Sequence, residues 1–223
     1  MKNSLRNDAN VIVCDNPLVE HNLSVIRNKD TSSEIFRNAS KRLAHLLLFT
    51  AYENLPMVEV DVETPITTAK CRTIDKNADI IIAPILRAGL AFSDVAADIL
   101  PEATIRHIGM YRDEETLKPV WYYNKTPIEL ENPLNTYVYV LDPMLATGNS
   151  SVETIDLFLQ KGMKEENLTF VSLIASPDGI MNIRKRFKNI RIVTASIDDG
   201  LNAKGYIIPG LGDAGDRLFN TFN

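Results

Sequence analysis

Three short runs of aliphatic residues constrain the fold of this chain more than any other feature. They are Ile80–Ile82, Val138–Leu141 and Phe170–Ile174. A strand with one face in water alternates apolar and polar residues, whereas a strand of a parallel sheet that is covered on both faces is apolar almost throughout. The runs therefore predict the central strands of a mostly parallel sheet that is flanked by helices.

Helical patterns separate the strand-like segments, and this alternation is typical of an α/β fold with right-handed crossovers. The predicted strands are Val58–Val62, Asp79–Ala83, Thr104–Met110, Val120–Tyr123, Tyr137–Leu141, Leu168–Ile174 and Ile190–Ser196. The predicted crossover helices are Leu90–Leu100, Ser151–Lys161 and Gly179–Phe187. A long amphipathic helix is predicted at 31–54, because Thr31 and Glu34 have capping-box spacing and apolar residues follow at helical intervals.

Composition narrows the function classes. The 223 residues carry 24 Lys and Arg against 29 Asp and Glu, a net charge of −5, so we expect no nucleic-acid partner. No apolar run approaches the roughly 18 residues that span a bilayer, and the polar start lacks the apolar core of a signal peptide. Two cysteines make neither a disulfide framework nor a zinc site. We expect one cytoplasmic domain over 1–223, with a helical arm at about 1–55, a core at about 56–200 and a C-terminal segment at about 201–223.

Ligands of open α/β sheets bind at the carboxyl ends of the strands, so the residues after each strand are the candidates for function. Asp142 follows one central strand, and Thr147, Gly148 and Ser150 lead into a helix N-terminus, where backbone N–H groups can hold a phosphate. Asp142 is suited to accept from ribose hydroxyls or to hold a cation. A capped helix after a turn would give the same spacing.

Three further segments carry polar groups next to apolar strands. Arg87 stands between an aliphatic strand and an apolar helix, and it either meets an anion or reaches the surface. Residues 111–123 predict a hairpin flap with a charged loop. The segment 205–217 holds four glycines, two aspartates and an arginine, and its exposed backbone could read a planar base or simply form a connection. His21, His45 and His107 lack metal-ligand spacing, so no metal held by the chain alone is predicted.

The run VLDPMLATGNS at 140–150 resembles the donor-binding loop of the type I phosphoribosyltransferases, and its Asp-Pro start is similar to that of the uracil-specific members. Three other segments are similar to that family in the same order: PILRAGL at 84–90, GMYRDEETL at 109–117 and YIIPGLGDAGDRLF at 206–219. The resemblance covers essentially the whole chain. It implies a type I phosphoribosyltransferase fold with a β-hairpin flap and a C-terminal hood over the base.

The resemblance also implies roles for particular residues. Arg87 and Arg112 match the arginines that hold the pyrophosphate of phosphoribosyl pyrophosphate (PRPP). The loop that binds its ribose and 5′-phosphate is matched by Asp142, Pro143, Met144, Leu145, Ala146, Thr147, Gly148, Asn149 and Ser150. The uracil-reading positions are matched by Ile207, Gly212, Asp213 and Ala214, and Asp213 also matches a donor-binding position. The catalytic set expected from the resemblance is Arg87, Arg112, Asp142 and Asp213.

Further expectations follow from the same resemblance. Relatives use Mg²⁺ with the pyrophosphate, are usually homodimers or larger, and in some cases respond to GTP. Asn149 stands where the family usually has glycine, and Pro143 replaces the second of two adjacent acids. One carboxylate then remains for the ribose, which shifts metal binding towards the phosphates of the substrate. Two alternatives stay open: a regulatory protein that senses UMP and binds RNA, and a sibling enzyme that acts on another base.

Overall fold

The computed structural model describes residues 5–112 and 119–222, and its main sheet has helices on both faces. The strands are β1 (Val11–Val13), β2 (Met57–Glu63), β3 (Thr68–Ile74), β4 (Asp79–Leu86), β5 (Thr104–Ile105), β6 (Ile108–Arg112), β7 (Pro119–Asn124), β8 (Thr136–Leu141), β9 (Met144–Leu145), β10 (Leu168–Ala175), β11 (Arg191–Ile197), β12 (Gly200–Leu201) and β13 (Ile207–Ile208). The helices are α1 (Pro17–Arg27), α2 (Ser33–Ala51), α3 (Leu90–Ile99), α4 (Asn149–Leu159), α5 (Pro177–Arg186) and α6 (Ala214–Phe219). Single 3₁₀ turns occupy Tyr52–Asn54, Pro133–Asn135 and Glu165–Asn167.

The main sheet has nine strands in the order β1-β11-β10-β8-β4-β6-β7, with β5 beside β4 and β9 beside β10. Every pairing is parallel except that between β6 and β7. The three aliphatic runs lie in β4, β8 and β10, at the centre of the sheet, as predicted. Their buried side chains alternate between the two faces: Ile82 belongs to the core cluster that includes side chains of α1, α2 and α3, whereas Ile81 belongs to the cluster that includes side chains of α4 and α5.

The strand predicted at Val58–Val62 lies outside the main sheet. It is part of β2, which pairs only with β3 in a separate antiparallel hairpin. Valines alternate with acidic residues in β2, and almost every residue of this strand is exposed. Val58, Val60 and Val62 therefore share one face of the hairpin, beside Cys71 and Ala69 of β3, and the acidic residues of β2 lie on the other face.

The long helix differs from its prediction at both ends. Its N-cap is Ser32, whose hydroxyl accepts from the Ile35 N–H at 3.4 Å, and not Thr31. The Thr31 hydroxyl instead donates to the Val25 carbonyl at 2.7 Å. At the other end, α2 stops at Ala51 and the chain continues as a 3₁₀ turn. In the part of the chain that the structure describes, no helix combines the length and the apolar character needed to cross a bilayer.

The flap prediction is confirmed in its two strands. β6 and β7 form an antiparallel hairpin at the edge of the sheet, with an irregular register between Gly109 and Met110. The single strand predicted at Thr104–Met110 is divided into β5 and β6, which pair one after the other with β4. The charged loop at 113–118, including the predicted hairpin tip, lies outside the described residues.

Candidate active site

A cavity of about 610 Å³ opens at the carboxyl edge of the sheet, where β4 and β8 end side by side. Its lining comes from the end of β4, from Met110 of β6, from the loop after β8, and from two nearby C-terminal stretches, 204–207 and 212–215. Its lining includes nine of the predicted site residues: Arg87, Asp142, Met144, Ala146, Ser150, Ile207, Gly212, Asp213 and Ala214. The residues that sequence reasoning singled out at separate strand ends therefore meet in one place.

Other predicted residues lie around the cavity. Pro143 and Leu145 are buried, and their carbonyl oxygens accept from β10 and from the Ser176 N–H, so they fix the loop from behind. Thr147, Gly148 and Asn149 form the turn into α4. Arg112 ends β6, and its side chain lies outside what the structure describes.

The turn into α4 leaves backbone donors available. Gly148 is the N-cap, and its φ of 77° lies in the left-handed region that favours glycine. Glycine has no side chain with which to cap the first turn, so the N–H groups there have no acceptor within the helix. Ser150 adds a hydroxyl at the cavity wall. This arrangement can bind a phosphate group, because a phosphate at this turn would meet both the N–H donors and the positive end of the helix dipole.

Asp142 lies at the end of β8, and its side chain is half-buried in the wall of the cavity. Burial raises the pKa of this carboxyl to about 7, although a hydrogen bond from the Met144 N–H, at 3.4 Å, favours the charged form. No cation pairs with this carboxylate among the ion pairs of the described residues. Asp142 is therefore a carboxylate that gains from hydroxyl donors, such as those of a ribose.

Arg87 follows β4 through a cis peptide bond with Leu86. Its side chain is 56% exposed and lies 3.3 Å from the Asp216 carboxylate. The guanidinium also lies 5.9 Å from the centre of the Phe219 ring. Arg87 therefore reaches the surface and also lines the cavity, where its loosely paired guanidinium can turn towards an anionic ligand.

Gly89 brings the two strand ends together. A Cβ at this position would lie 2.5 Å from the carbonyl oxygens of both Ile85 and Leu141. Only glycine therefore allows the turn after β4 to pack against the end of β8. The close approach sets Arg87 and Asp142 at the same edge of one cavity.

The segment from Gly200 to Asp213, part of which lines the cavity, is held together by short-range hydrogen bonds. The Asn202 side chain accepts from the N–H groups of Lys204 and Tyr206, and β12 pairs with β13. Asp213 caps α6, with one carboxylate oxygen accepting from the Asp216 N–H at 2.9 Å. Lys204 and Tyr206 also line the cavity, although sequence reasoning did not select their side chains. Their position next to the glycine-rich segment was the only signal.

Two arginines fasten this segment to the helical arm. Arg27, the last residue of α1, forms two hydrogen bonds with Asp198, at 2.6 and 2.8 Å, and donates to the Gly210 carbonyl at 2.8 Å. The Gly210 N–H in turn donates to Asp198. Burial alone would raise the pKa of Asp198, but the Arg27 guanidinium and the other donors hold it below its ordinary value.

Arg217 makes the second attachment. Its guanidinium is buried, lies 4.3 Å from the centre of the Phe36 ring, and donates to the carbonyl oxygens of Leu211, Asn28 and Ile26. Burial lowers the pKa of this group. Sequence reasoning missed both arginines, because their acceptors are backbone carbonyls or residues more than 100 positions away.

No group of three or more His, Cys, Asp or Glu side chains suited to a metal ion occurs in residues 5–112 and 119–222. Asp142 and Asp213 are two carboxylates on the cavity wall. Mg²⁺ commonly binds through one or two carboxylates together with the phosphates of its substrate. The residues present therefore fit a magnesium ion that a phosphorylated ligand would carry.

Comparisons with known proteins agree with this geometry. Residues 13–221 match the family model described as uracil phosphoribosyltransferase. The chain is 49% identical over 211 residues to the uracil phosphoribosyltransferase of Dictyoglomus thermophilum, and the alignment covers 95% of this chain and 99% of that protein. It is 46% identical over 211 residues to the enzyme of the same name from Clostridium botulinum strain Eklund 17B, with 95% and 98% covered.

Solved structures show the same fold. The AQ2163 protein from Aquifex aeolicus has a TM-score of 0.85 and 36% identity, over 95% of this chain and 98% of that one. An adenine phosphoribosyl transferase from Trypanosoma brucei shares the fold alone, with a TM-score of 0.52 and 13% identity over 92% and 88% of the two chains. By sequence, by fold and by the residues gathered around its cavity, this chain belongs to the uracil phosphoribosyltransferase family.

Proposed function

We propose that the chain transfers the phosphoribosyl group of PRPP to N1 of uracil, giving UMP and pyrophosphate, a reaction of pyrimidine salvage. The observation that carries the proposal is the single cavity that Arg87, Asp142, Ser150 and Asp213 share. Such a reaction requires an anion-binding helix start, a carboxylate suited to ribose hydroxyls, a guanidinium that can exchange its partner for a phosphate, and a backbone-rich segment for the base.

Each part has a position in the proposed complex. The 5′-phosphate binds at the turn into α4, where Gly148 leaves N–H groups open. The ribose hydroxyls donate to Asp142. The pyrophosphate lies against Arg87, with Arg112 as the second cation supplied by the end of β6. Uracil occupies the side formed by Ile207 and residues 212–214.

The reaction forms a bond between uracil N1 and C1′ as the bond between C1′ and the pyrophosphate oxygen breaks. Negative charge grows on the leaving group, and guanidinium groups aimed at it stabilise the transition state. Positive charge develops on the ribose, close to Asp142. The N1 proton must leave, and its acceptor is Asp213, water or the departing pyrophosphate. One oxygen of Asp213 already accepts from the Asp216 N–H, which leaves the other oxygen for this role.

Mg²⁺ is proposed as the cofactor, carried by the pyrophosphate, and it would neutralise charge on that group when bound. Asp142 and Asp213 are the carboxylates of the cavity that could approach it. The chain's own part is to orient the donor and to exclude water. The flap formed by β6 and β7 is proposed to close over the donor. If it does, bound PRPP should protect residues 112–118 from a protease, and limited proteolysis with and without PRPP tests this movement.

Base selection is proposed to rest on main-chain groups of the segment from Ile207 to Ala214. A site that pairs the carbonyl and N–H groups of uracil leaves a polar group unpaired when cytosine enters. Such mismatches support discrimination of roughly 10⁴–10⁵ in favourable cases. Turnover of cytosine within tenfold of uracil would contradict this assignment and favour the alternative of another base.

The decisive experiment measures labelled UMP formed from labelled uracil by the purified chain, with and without PRPP and Mg²⁺. Cytosine, adenine and hypoxanthine serve as alternative bases in parallel. We expect product with uracil only, and only when PRPP is present. A filter-binding assay with RNA tests the regulatory alternative, and RNA binding without UMP formation would replace the proposed enzyme by a sensor protein.

We also propose a homodimer, or a larger homo-oligomer, in the cytoplasm. The β2–β3 hairpin supports it, because Val58 and Val62 are about 40% exposed and Ile66 at its turn is 93% exposed. Light scattering should give the molar mass of at least a dimer. The double variant Val58→Asp, Val62→Asp should have a lower molar mass. GTP is proposed as an effector by the family resemblance alone, and a GTP titration at subsaturating PRPP tests it.

A further inference from the structure

The phosphate-binding turn is held from outside the cavity by one helix, α5. Ser176, the N-cap of this helix, donates from its hydroxyl to the Ala146 carbonyl at 2.5 Å. Gly179 packs so closely that a Cβ there would lie 2.5 Å from the same carbonyl oxygen. The main chain at Gly179 also borders Gly148, where an added Cβ would lie 2.8 Å from its oxygen. The turn into α4 and the first turn of α5 therefore interlock.

One side chain of α5 reaches the turn itself. The Asn182 side-chain amide donates through Nδ2 to the Thr147 carbonyl and to Oδ1 of Asn149, each at 3.0 Å. These acceptors stand on either side of Gly148, the residue with left-handed backbone. Asn182 therefore contacts the turn from the side of α5.

This pair of hydrogen bonds has a consequence for the ligand. Asn149 is exposed and begins α4, so an unrestrained side chain there could fold over the N–H groups that would bind a phosphate. Holding Oδ1 of Asn149 fixes that side chain, and holding the Thr147 carbonyl fixes the peptide plane before Gly148. A turn that is already in its binding shape loses less conformational entropy when the ligand arrives.

We propose that Asn182 is a positioning residue for the 5′-phosphate: it acts through Thr147 and Asn149 and keeps the turn into α4 ready for the donor. This inference rests on the proposed function, since it names the support of the same site. It assigns to Asn182 an effect on ligands that carry a 5′-phosphate and no effect on uracil.

The test compares Asn182→Ala with the matched control Asn189→Ala. Asn189 also loses one side-chain hydrogen bond, to Glu166 at 2.8 Å, but lies away from the cavity. Two lost hydrogen bonds predict that Asn182→Ala raises KM for PRPP about tenfold. KM for uracil and kcat should stay within about twofold, because the interaction is equally present before and during the reaction. The control should change none of the three constants.

A second variant, Asn149→Ala, distinguishes the contributions of the two acceptors, and it provides a further measurement if Asn182→Ala does not fold. Asn149→Ala removes the acceptor together with the side chain that could cover the N–H groups, so KM for PRPP should stay within about threefold of the unaltered chain. In the double variant, the rise should be smaller than that of Asn182→Ala, because only the contact with the Thr147 carbonyl then remains to be lost. Calorimetric titration with ribose 5-phosphate should show the same order of affinities without turnover.

The outcomes are distinguishable from those of the proposed function. If the unaltered chain forms no UMP, the proposed function fails, and ribose 5-phosphate binding still decides the role of Asn182. If Asn182→Ala forms UMP with unchanged KM for PRPP, the positioning role is wrong. A uniform rise in both KM values, accompanied by a lower melting temperature, would assign Asn182 a merely structural role.

Discussion

Arg87 and Asp216, which are 129 residues apart in the sequence, form an ion pair of 3.3 Å beside the cavity. Oδ1 of Asp216, the oxygen nearest the guanidinium, also accepts from the Thr221 hydroxyl at 2.8 Å. Asp216 therefore pairs with the same guanidinium that we propose binds the pyrophosphate. Binding of the donor must therefore exchange one carboxylate partner for the phosphate oxygens.

Asp216→Asn should tighten the binding of pyrophosphate. Exposed ion pairs contribute about 0.2–1 kcal/mol, so an increase in affinity of up to about fivefold is expected, and it should shrink at high salt. Titration calorimetry with pyrophosphate measures it. Asp94→Asn is the control, because Asp94 forms an exposed pair with Lys41 at 3.9 Å. Unchanged or weaker binding in Asp216→Asn would show that this pair does not compete with the ligand.

Arg87→Ala should lower the turnover number by about 10²–10³, the usual effect of removing one donor to developing charge. The same loss is expected for Arg112→Ala. A charge pair at 4 Å with an effective dielectric constant near 20 is worth about 4 kcal/mol, which is sufficient for that effect. Steady-state assays with saturating uracil and PRPP measure it. Near-normal turnover in both variants would remove the pyrophosphate assignment.

Asp142 should make donor binding dependent on pH. Its pKa is raised to about 7, so the carboxylate that accepts from the ribose is lost as the pH falls below 7, and KM for PRPP should rise about tenfold at pH 6. Asp142→Asn should bind PRPP more weakly at all pH values and should lose the part of the pH dependence that comes from Asp142. The part that comes from titration of PRPP itself should remain. Parallel pH profiles for the two proteins would exclude the role of Asp142.

The same residue gives a prediction for stability. The folded chain binds a proton at Asp142 more tightly than the unfolded chain, whose carboxyl titrates near 3.8, so stability falls as the pH rises between about 4 and 7. Asp142→Asn should therefore be more stable than the unaltered chain at pH 8, by an amount on the order of a few kcal/mol. Urea unfolding at pH 4 and pH 8, at one protein concentration, should show the difference at the higher pH only.

Arg217→Met should destabilise the fold by about 3 kcal/mol, since buried carbonyl oxygens that lose a donor cost roughly 1–3 kcal/mol each. Its acceptors belong to Leu211 and to the end of α1, so KM for uracil should rise as well. Arg186→Met, on an exposed part of α5, is the control. A variant with normal stability and normal KM for uracil would show that this attachment is dispensable.

Gly89→Ala should damage the site through the backbone. The new Cβ would lie 2.5 Å from two carbonyl oxygens, and the strand ends must separate to admit it. We expect a loss of several kcal/mol in the free energy of unfolding, the effect of overpacking at a buried site, together with weaker PRPP binding. Gly162→Ala is a control for backbone strain without a clash, because its φ is +87° and the nearest atom to an added Cβ lies 3.8 Å away. Equal behaviour of the two variants would contradict the close-approach argument.

The centre of the fold could be predicted because its information is local. Runs such as Val138–Leu141 are apolar on both faces, and the loop that follows combines small residues with a helix start. The strand β3 was not predicted, because it pairs with an exposed partner. The bounds of α1, within the predicted helical arm, were not predicted because polar residues interrupt its apolar pattern, and α6 was not predicted because it has only six residues. Tertiary contacts, and not local pattern, determine those elements.

The site shows the same division. Arg87, Asp142 and Asp213 could be selected because each follows a strand or a glycine-rich segment, and the cavity brings them together. Arg27 and Asn182 could not be selected, because the first depends on Asp198 at a separation of 171 residues and the second on a turn 35 positions away. Residues that support a site from behind leave no periodic or compositional signal.

The attachment of the C-terminal segment, which we propose reads the base, to residues 26–28 has a consequence for protein engineering. A graft that exchanged only the last twenty residues with those of a relative would bring an arginine at position 217 to foreign carbonyl groups. Base preference should therefore be transferable only when the amino-terminal helices travel with the tail, so that both ends of the polypeptide act as one exchangeable cassette around a constant sheet.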